Sequence, residues 1–169
     1  MIPIVILALI CLIVSGALAL SHSLTQPVIA EAAAGRAEKA RREIIPGADG
    51  FVLIETEHLP KTVTGVYKTA NNTGFIVMVS SLGYGGEIKL ICGIDNNGKI
   101  IRTMVLANNE TRGLGTPVFD EPHSSQYWGK DANGIESIQA ISGATISSTA
   151  FKDGIRDAFK AYEIIKGMR

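Results

Sequence analysis

A chain of 169 residues, 46% of them hydrophobic, has room for one ordinary domain plus an appendage. Its 16 basic and 16 acidic residues cancel, and no basic block is interleaved with aromatics, so nucleic-acid binding has no support. Cys11 and Cys92 make no Cys-x-x-Cys or Cys/His spacing, and His22, His58 and His123 are scattered, which argues against zinc, iron–sulfur or any other metal site.

Met1 to Leu20 holds no charged side chain, and the first Lys, Arg, Asp or Glu is Glu31. About twenty helical residues rise about 30 Å, the thickness of a bilayer hydrocarbon core. Residues 1–24 therefore read as a transmembrane anchor. Ala17-Leu18-Ala19 offers small residues to a signal peptidase, yet no basic side chain precedes the apolar run. Ile10 stands before Cys11 where a lipidation signal needs a small residue, and the helical pattern continues past the run. These flanks favour a retained anchor over a cleaved leader. Residues 25–46 follow as a charged, Ala-rich connecting helix closed by Pro46-Gly47, its charges forming a solvated face. Arg36, Lys39, Arg41 and Arg42 follow the anchor, and taken alone they keep the rest of the chain in the cytoplasm.

From Phe51 the hydrophobic period changes. Phe51 to Ile54, Gly65 to Lys68 and Gly74 to Ser80 read as short strands separated by turn residues. Glu87 to Asp95 and Lys99 to Ala107 flank Asn96-Asn97-Gly98, a hairpin signal in which Asn-Gly supplies the positive φ of a tight primed turn. Residues 108–133 form a long irregular segment, the length at which loops are functional or disordered. Gly113 and Gly115 within it allow backbone to approach a ligand. Trp128, beside Tyr127 and Gly129-Lys130, reads as partly buried core. Ile135 to Ile141 reads as a strand. From Thr149 to Lys166 the residues Phe151, Ile155, Ala158, Phe159, Tyr162 and Ile165 fall on one helical stripe, which packs on the sheet.

Between that strand and that helix lies Ser142-Gly143-Ala144-Thr145-Ile146-Ser147-Ser148, a run of tiny and hydroxyl-bearing residues. A chain that breaks at glycine and enters a helix presents free backbone N–H groups and the positive end of the helix dipole, which together attract anions. Thr145 puts a hydroxyl at the mouth of this turn. On spacing alone, a hydroxyl N-cap and a phosphate or cofactor site both stand.

Ser142-Gly143-Ala144-Thr145 followed by Ile146-Ser147-Ser148 resembles the flavinylation signature of the FMN-binding domain family. That family includes the G subunit of the Rnf complex and the C subunit of the sodium-pumping NADH:quinone reductase. In it, the last Thr carries FMN through a phosphoester bond installed by a flavin transferase from FAD. Three more segments are similar to the Rnf G subunit, in the same order. These are the apolar helix running into Leu24 to Glu31 and ending at Ile45 to Ala48, the stretch Gly83-Tyr84-Gly85-Gly86-Glu87-Ile88 leading to Gly93 to Ile100, and Asn109 to Gly115. The last of these resembles the family's Glu-Thr-Pro-Gly-Leu-Gly loop. Gln139 stands where the transferase motif has Asp, Arg112 where the loop has Pro, and Thr116-Pro117 where a basic residue is common.

The resemblance implies an α+β fold: a transmembrane helix (1–24), a connecting helix (25–46), and a mainly antiparallel-sheet FMN-binding domain with a C-terminal helix (47–169). It implies covalent FMN on Thr145, a turn shaped by Ser142, Gly143 and Ala144, and a flavin lined by Glu110, Thr111, Leu114 and Gly115. Thr145 is then an attachment point, and no residue is assigned a catalytic role. The activity implied is that of an electron carrier within an ion-translocating ferredoxin:NAD oxidoreductase, with the other membrane subunits and the flavin transferase as partners. The soluble domain is placed outside the cytoplasm, against the charge bias. A free-standing extracytoplasmic flavin carrier and an unflavinylated assembly or binding subunit are the alternatives.

Overall fold

The apolar N-terminal run and the charged stretch after it form one continuous helix. In a computed structural model describing residues 2–167, α1 spans Ile2–Ile44. The chain divides into two compact units, one ending at Glu38 and the other beginning at Lys39. In the first, three hydroxyl side chains bond back within the helix. Ser15 donates to Leu12 O, Ser23 to Leu20 O, and Thr25 to Ser21 O. Hydroxyls that bond back in this way present little unsatisfied polarity to a lipid environment. The most apolar 18-residue window has a mean hydropathy of 2.8, and α1 is long and apolar enough to cross a membrane.

The second unit is an antiparallel meander of five strands, ordered β1-β2-β3-β4-β5. The strands are β1 Phe51–Leu53, β2 Val63–Thr69, β3 Gly74–Leu82, β4 Glu87–Asp95 and β5 Ile100–Asn108. Residues 108–133 are not featureless. They hold a 3-10 turn at Thr116–Val118, the short helix α2 at Glu121–Ser124, and another 3-10 turn at Ser125–Tyr127. The chain closes with α3, Thr145–Gly167.

Alternation along the strands gives the sheet two apolar faces. One carries Val77, Val79, Leu90 and Cys92 against Phe151, Ile155, Ala158, Phe159 and Tyr162 of α3, all buried. The predicted stripe therefore does pack on the sheet. On the other face Ile76 and Ile91 meet Ala40, Ile44 and Ile45. Both faces are needed for the α+β architecture that the sequence implies.

Two local expectations are corrected. The β4–β5 connection is not a primed turn, because Asn97 does not take positive φ and only Gly98 does, at 77°. Gly98 N–H donates to Asp95 O, and Asp95 Oδ1 accepts from the Asn97 and Lys99 N–H groups. The aspartate thus stabilises a turn with one left-handed glycine at its end. Nor do Ile135 to Ile141 form a strand. Gly134–Ser137 is a 3-10 turn and the remainder is unpaired. Ile135 and Ile138 are both buried at a spacing of three, which suits a turn packed beneath α3. The turn is tied to α3 by Lys152 Nζ, which donates to Ile138 O, and by Arg156, which grips both oxygens of Glu136 at 2.6 Å.

Candidate functional site

α3 begins at Thr145 without a side-chain cap. Ala144 N–H donates to Ile141 O and Ser148 N–H to Ala144 O, with Gly143 at φ 83° between them. The N-cap position falls on Ala144, which has no side-chain acceptor, and the hydroxyls of the first turn point elsewhere. Ser148 Oγ accepts from Ile141 N–H at 3.1 Å, and Ser147 Oγ donates to Glu110 Oε2 at 2.8 Å. No acceptor among the described residues meets the N–H groups of Thr145, Ile146 and Ser147. The helix start therefore keeps its anion-binding character, and the N-cap reading of the motif is not realised. Thr145 is exposed, while Ser147 and Ser148 are buried.

Beside this helix start lies a cavity of about 360 Å³. Glu110, Thr111, Leu114 and Gly115 line it from the loop after β5, and Gly143, Ala144 and Thr145 from the turn into α3. Seven of the eight residues proposed from sequence thus meet at one place, and Ser142, exposed, lies outside the lining. Three further lining residues, Tyr84, Ile146 and Ser147, are ones the sequence reading missed. All three sit inside the segments that carry the family resemblance, so the signal was present. Tyr84, Leu114 and Ile146 are exposed, which gives the cavity an apolar lip.

Glu110 organises the three segments. Its carboxylate belongs to a residue only 8% exposed and accepts from Ser147 Oγ on one oxygen and from Gly85 N–H, at 3.1 Å, on the other. Gly85 belongs to the β3–β4 turn, so one side chain joins that turn, the 109–115 loop and α3. A Cβ on Gly83 or Gly115 would lie 2.1 or 2.2 Å from a Glu110 oxygen. Small residues there admit a buried carboxylate whose oxygens are both engaged, as burial of charge requires.

His123 is structural as well. Its buried ring lies between Val118 O, 3.0 Å from Nδ1, and Gln139 O, 3.3 Å from Nε2. Among the described residues no group of His, Cys, Asp and Glu is arranged to hold a metal ion.

Residues 83–160 match the FMN-binding domain model, a stretch that contains the whole cavity lining. The G subunit of the ion-translocating oxidoreductase complex of Methanosarcina acetivorans is 30% identical over 172 residues, covering 92% of this chain and 90% of that one. This chain belongs to the family of G subunits of ion-translocating oxidoreductase complexes. Two other G subunits are similar along nearly their full length. That of the Na(+)-translocating ferredoxin:NAD(+) oxidoreductase complex of Acetobacterium woodii is 28% identical, covering 94% of this chain and 89% of that one. That of the proton-translocating ferredoxin:NAD(+) oxidoreductase complex of Clostridium ljungdahlii is 27% identical, covering 95% and 90%. For a member of this family, the cavity beside Thr145 is the place to test against FMN. An apolar lip suits a flat ring system, uncapped N–H groups suit a phosphate, and an exposed hydroxyl suits a phosphoester.

Proposed function

We propose that the chain is the membrane-anchored, electron-transferring flavoprotein subunit of an Rnf-type ferredoxin:NAD oxidoreductase, with FMN carried covalently on Thr145. The observation that carries this reading is the exposed Thr145 hydroxyl at the uncapped start of α3, opening on the cavity of Glu110, Thr111, Leu114 and Gly115. Residues 1–24 serve as the anchor, 25–46 as the connector and 47–169 as the flavin domain, which lies outside the cytoplasm.

A flavin transferase would join Thr145 Oγ1 to the FMN phosphorus of FAD, the pyrophosphate bond breaking, AMP leaving and the hydroxyl proton being released. The N–H groups of Thr145, Ile146 and Ser147 would hold the phosphate, with the dipole of α3 contributing roughly 0.3–1 kcal/mol. Ser142, Gly143 and Ala144 shape the turn that presents Thr145. Tyr84, Leu114 and Ile146 would hold the apolar ring and shield it from water. Bound FMN supplies the redox chemistry, to which the protein adds position and electrostatics. The tether keeps the cofactor at high local concentration through the redox cycle.

In-gel flavin fluorescence under denaturing conditions, after co-expression with a flavin transferase, tests the reading. A fluorescent wild-type band and a dark Thr145→Ala band are expected. A dark wild-type band would instead favour the unflavinylated subunit, with Gln139 as its cause.

A further inference from the structure

β5 ends the sheet, and only its first residue is paired on the outer side. Gly129 N–H donates to Ile100 O at 2.7 Å, and Ile100 N–H to Lys130 O at 2.9 Å. From Arg102 to Asn108 no described residue hydrogen-bonds the outward backbone groups of the strand. The segment that begins the sixth-strand position turns away through Trp128, α2 and the 3-10 turn at 116–118. A groove of about 360 Å³ is left between those turns and the strand edge. Thr103 and Trp128 line it, and Thr103 Oγ1 and Trp128 Nε1 are both buried without a hydrogen-bond partner. Thr103 is only 5% exposed. Arg102 lies over the Trp128 ring at 4.8 Å and reaches Glu43 at 3.6 Å and Glu121 at 4.0 Å. With Asp120, three carboxylates line the groove against one guanidinium.

We propose that this groove docks an extended, basic segment of another subunit of the membrane complex, added to β5 as a sixth strand. An open row of N–H and C=O groups is a template for strand addition, and the pairing already begun at Ile100 sets its start. A strand placed there runs about 4.8 Å from β5 and pairs its own N–H and C=O groups with the outward groups of residues 102–108. A Lys or Arg of the incoming segment meets Glu43, Asp120 and Glu121, whose charge Arg102 only partly offsets. The opposite sheet edge is shorter: β1 is three residues long, with Val52 and Leu53 exposed.

The inference rests on the functional reading above, and the test separates the two. Amide hydrogen exchange is measured on the full chain in detergent and on the purified complex. Outward-facing amides of residues 102–107 are expected to exchange at least ten-fold more slowly in the complex. Asp120→Lys/Glu121→Lys is expected to remove that protection while β3 and β4 keep theirs, which shows that the domain is still folded. A photo-crosslinker at Asn108, an exposed groove residue, is expected to trap one segment rich in Lys or Arg, mapped by mass spectrometry. Unchanged exchange in a complex that still co-purifies overturns the groove alone. Protection that grows with concentration in the isolated chain assigns the edge to a second copy and also overturns it. A chain that never co-purifies with membrane subunits overturns the functional reading together with the inference.

Discussion

Glu110 Oε2 accepts a hydrogen bond from Ser147 Oγ at 2.8 Å across 37 residues of sequence, tying the loop after β5 to the first turn of α3. Ser147 lies inside the first turn, past the N-cap position held by Ala144, and its hydroxyl faces the loop while the N–H groups beside Thr145 stay uncapped. One buried carboxylate thereby joins the walls of the cavity.

Ser147→Ala removes the donor and leaves one oxygen of a buried carboxylate unsatisfied. The cost of such an orphan is about 1–3 kcal/mol. Urea denaturation of the full chain in detergent, followed by Trp128 fluorescence, should show a loss of that size. A variant as stable as wild type would mean that water replaces the hydroxyl and that the clasp is not structural.

Gly85→Ala probes the other end of the clasp. The added Cβ would stand 2.3 Å from the backbone oxygen of Asn109, and backbone cannot swing aside as a side chain does. A destabilisation of about 1–3 kcal/mol is expected, with weakened flavin retention. Gly47→Ala, where nothing lies within 4 Å, is the matched control and should stay within about 0.5 kcal/mol of wild type. Equal effects of the two would remove close approach as the reason for glycine at position 85.

What could be read in the sequence was what is local. The stripe from Phe151 to Ile165 and the Asp95–Lys99 reversal are each set by residues within one element, and both are present in the fold. Ile135–Ile141 reads as a strand because it is rich in isoleucine, whereas the burial of Ile135 and Ile138 is imposed by α3 packing over a turn. The site divides in the same way. Thr145 and its neighbours stand out as a motif, but the Glu110 contacts to Gly85 and Ser147 span 25 and 37 residues, and no local pattern encodes them. The open edge of β5 was equally hidden, since it depends on where residues 116–128 turn away.

Acid should loosen the seam between α3 and the turn at Gly134–Ser137. The hydrogen bonds from Arg156, first among the causes, hold the Glu136 carboxyl below its ordinary value of 4.5. A group whose pKa is lowered by folding contributes stability that is present above the unfolded value and is lost as pH falls through the folded one. The difference in thermal midpoint between wild type and Glu136→Gln should therefore hold steady from about pH 7 to about pH 5 and shrink as pH falls below the ordinary carboxylate range. A gap that widens in acid would reverse the sign and rule the ion pair out as its source.

Cys92 offers a probe of the sheet itself. The thiol is fully buried in β4, in register with Val77 of β3 and Thr103 of β5, and burial pushes its pKa up to about 12. Thiolate, the reactive form, is then scarce at about pH 8, and reagent cannot reach it while α3 covers that face of the sheet. In Cys11→Ser, which leaves Cys92 as the sole cysteine, a maleimide should give no labelling of the native chain over hours and stoichiometric labelling in denaturant. The native labelling rate then measures how often α3 lifts off the sheet or the domain unfolds, because Cys92 lies on the face that α3 covers. Rapid native labelling would show that α3 leaves the sheet readily, and the cavity beside Thr145 would open with it.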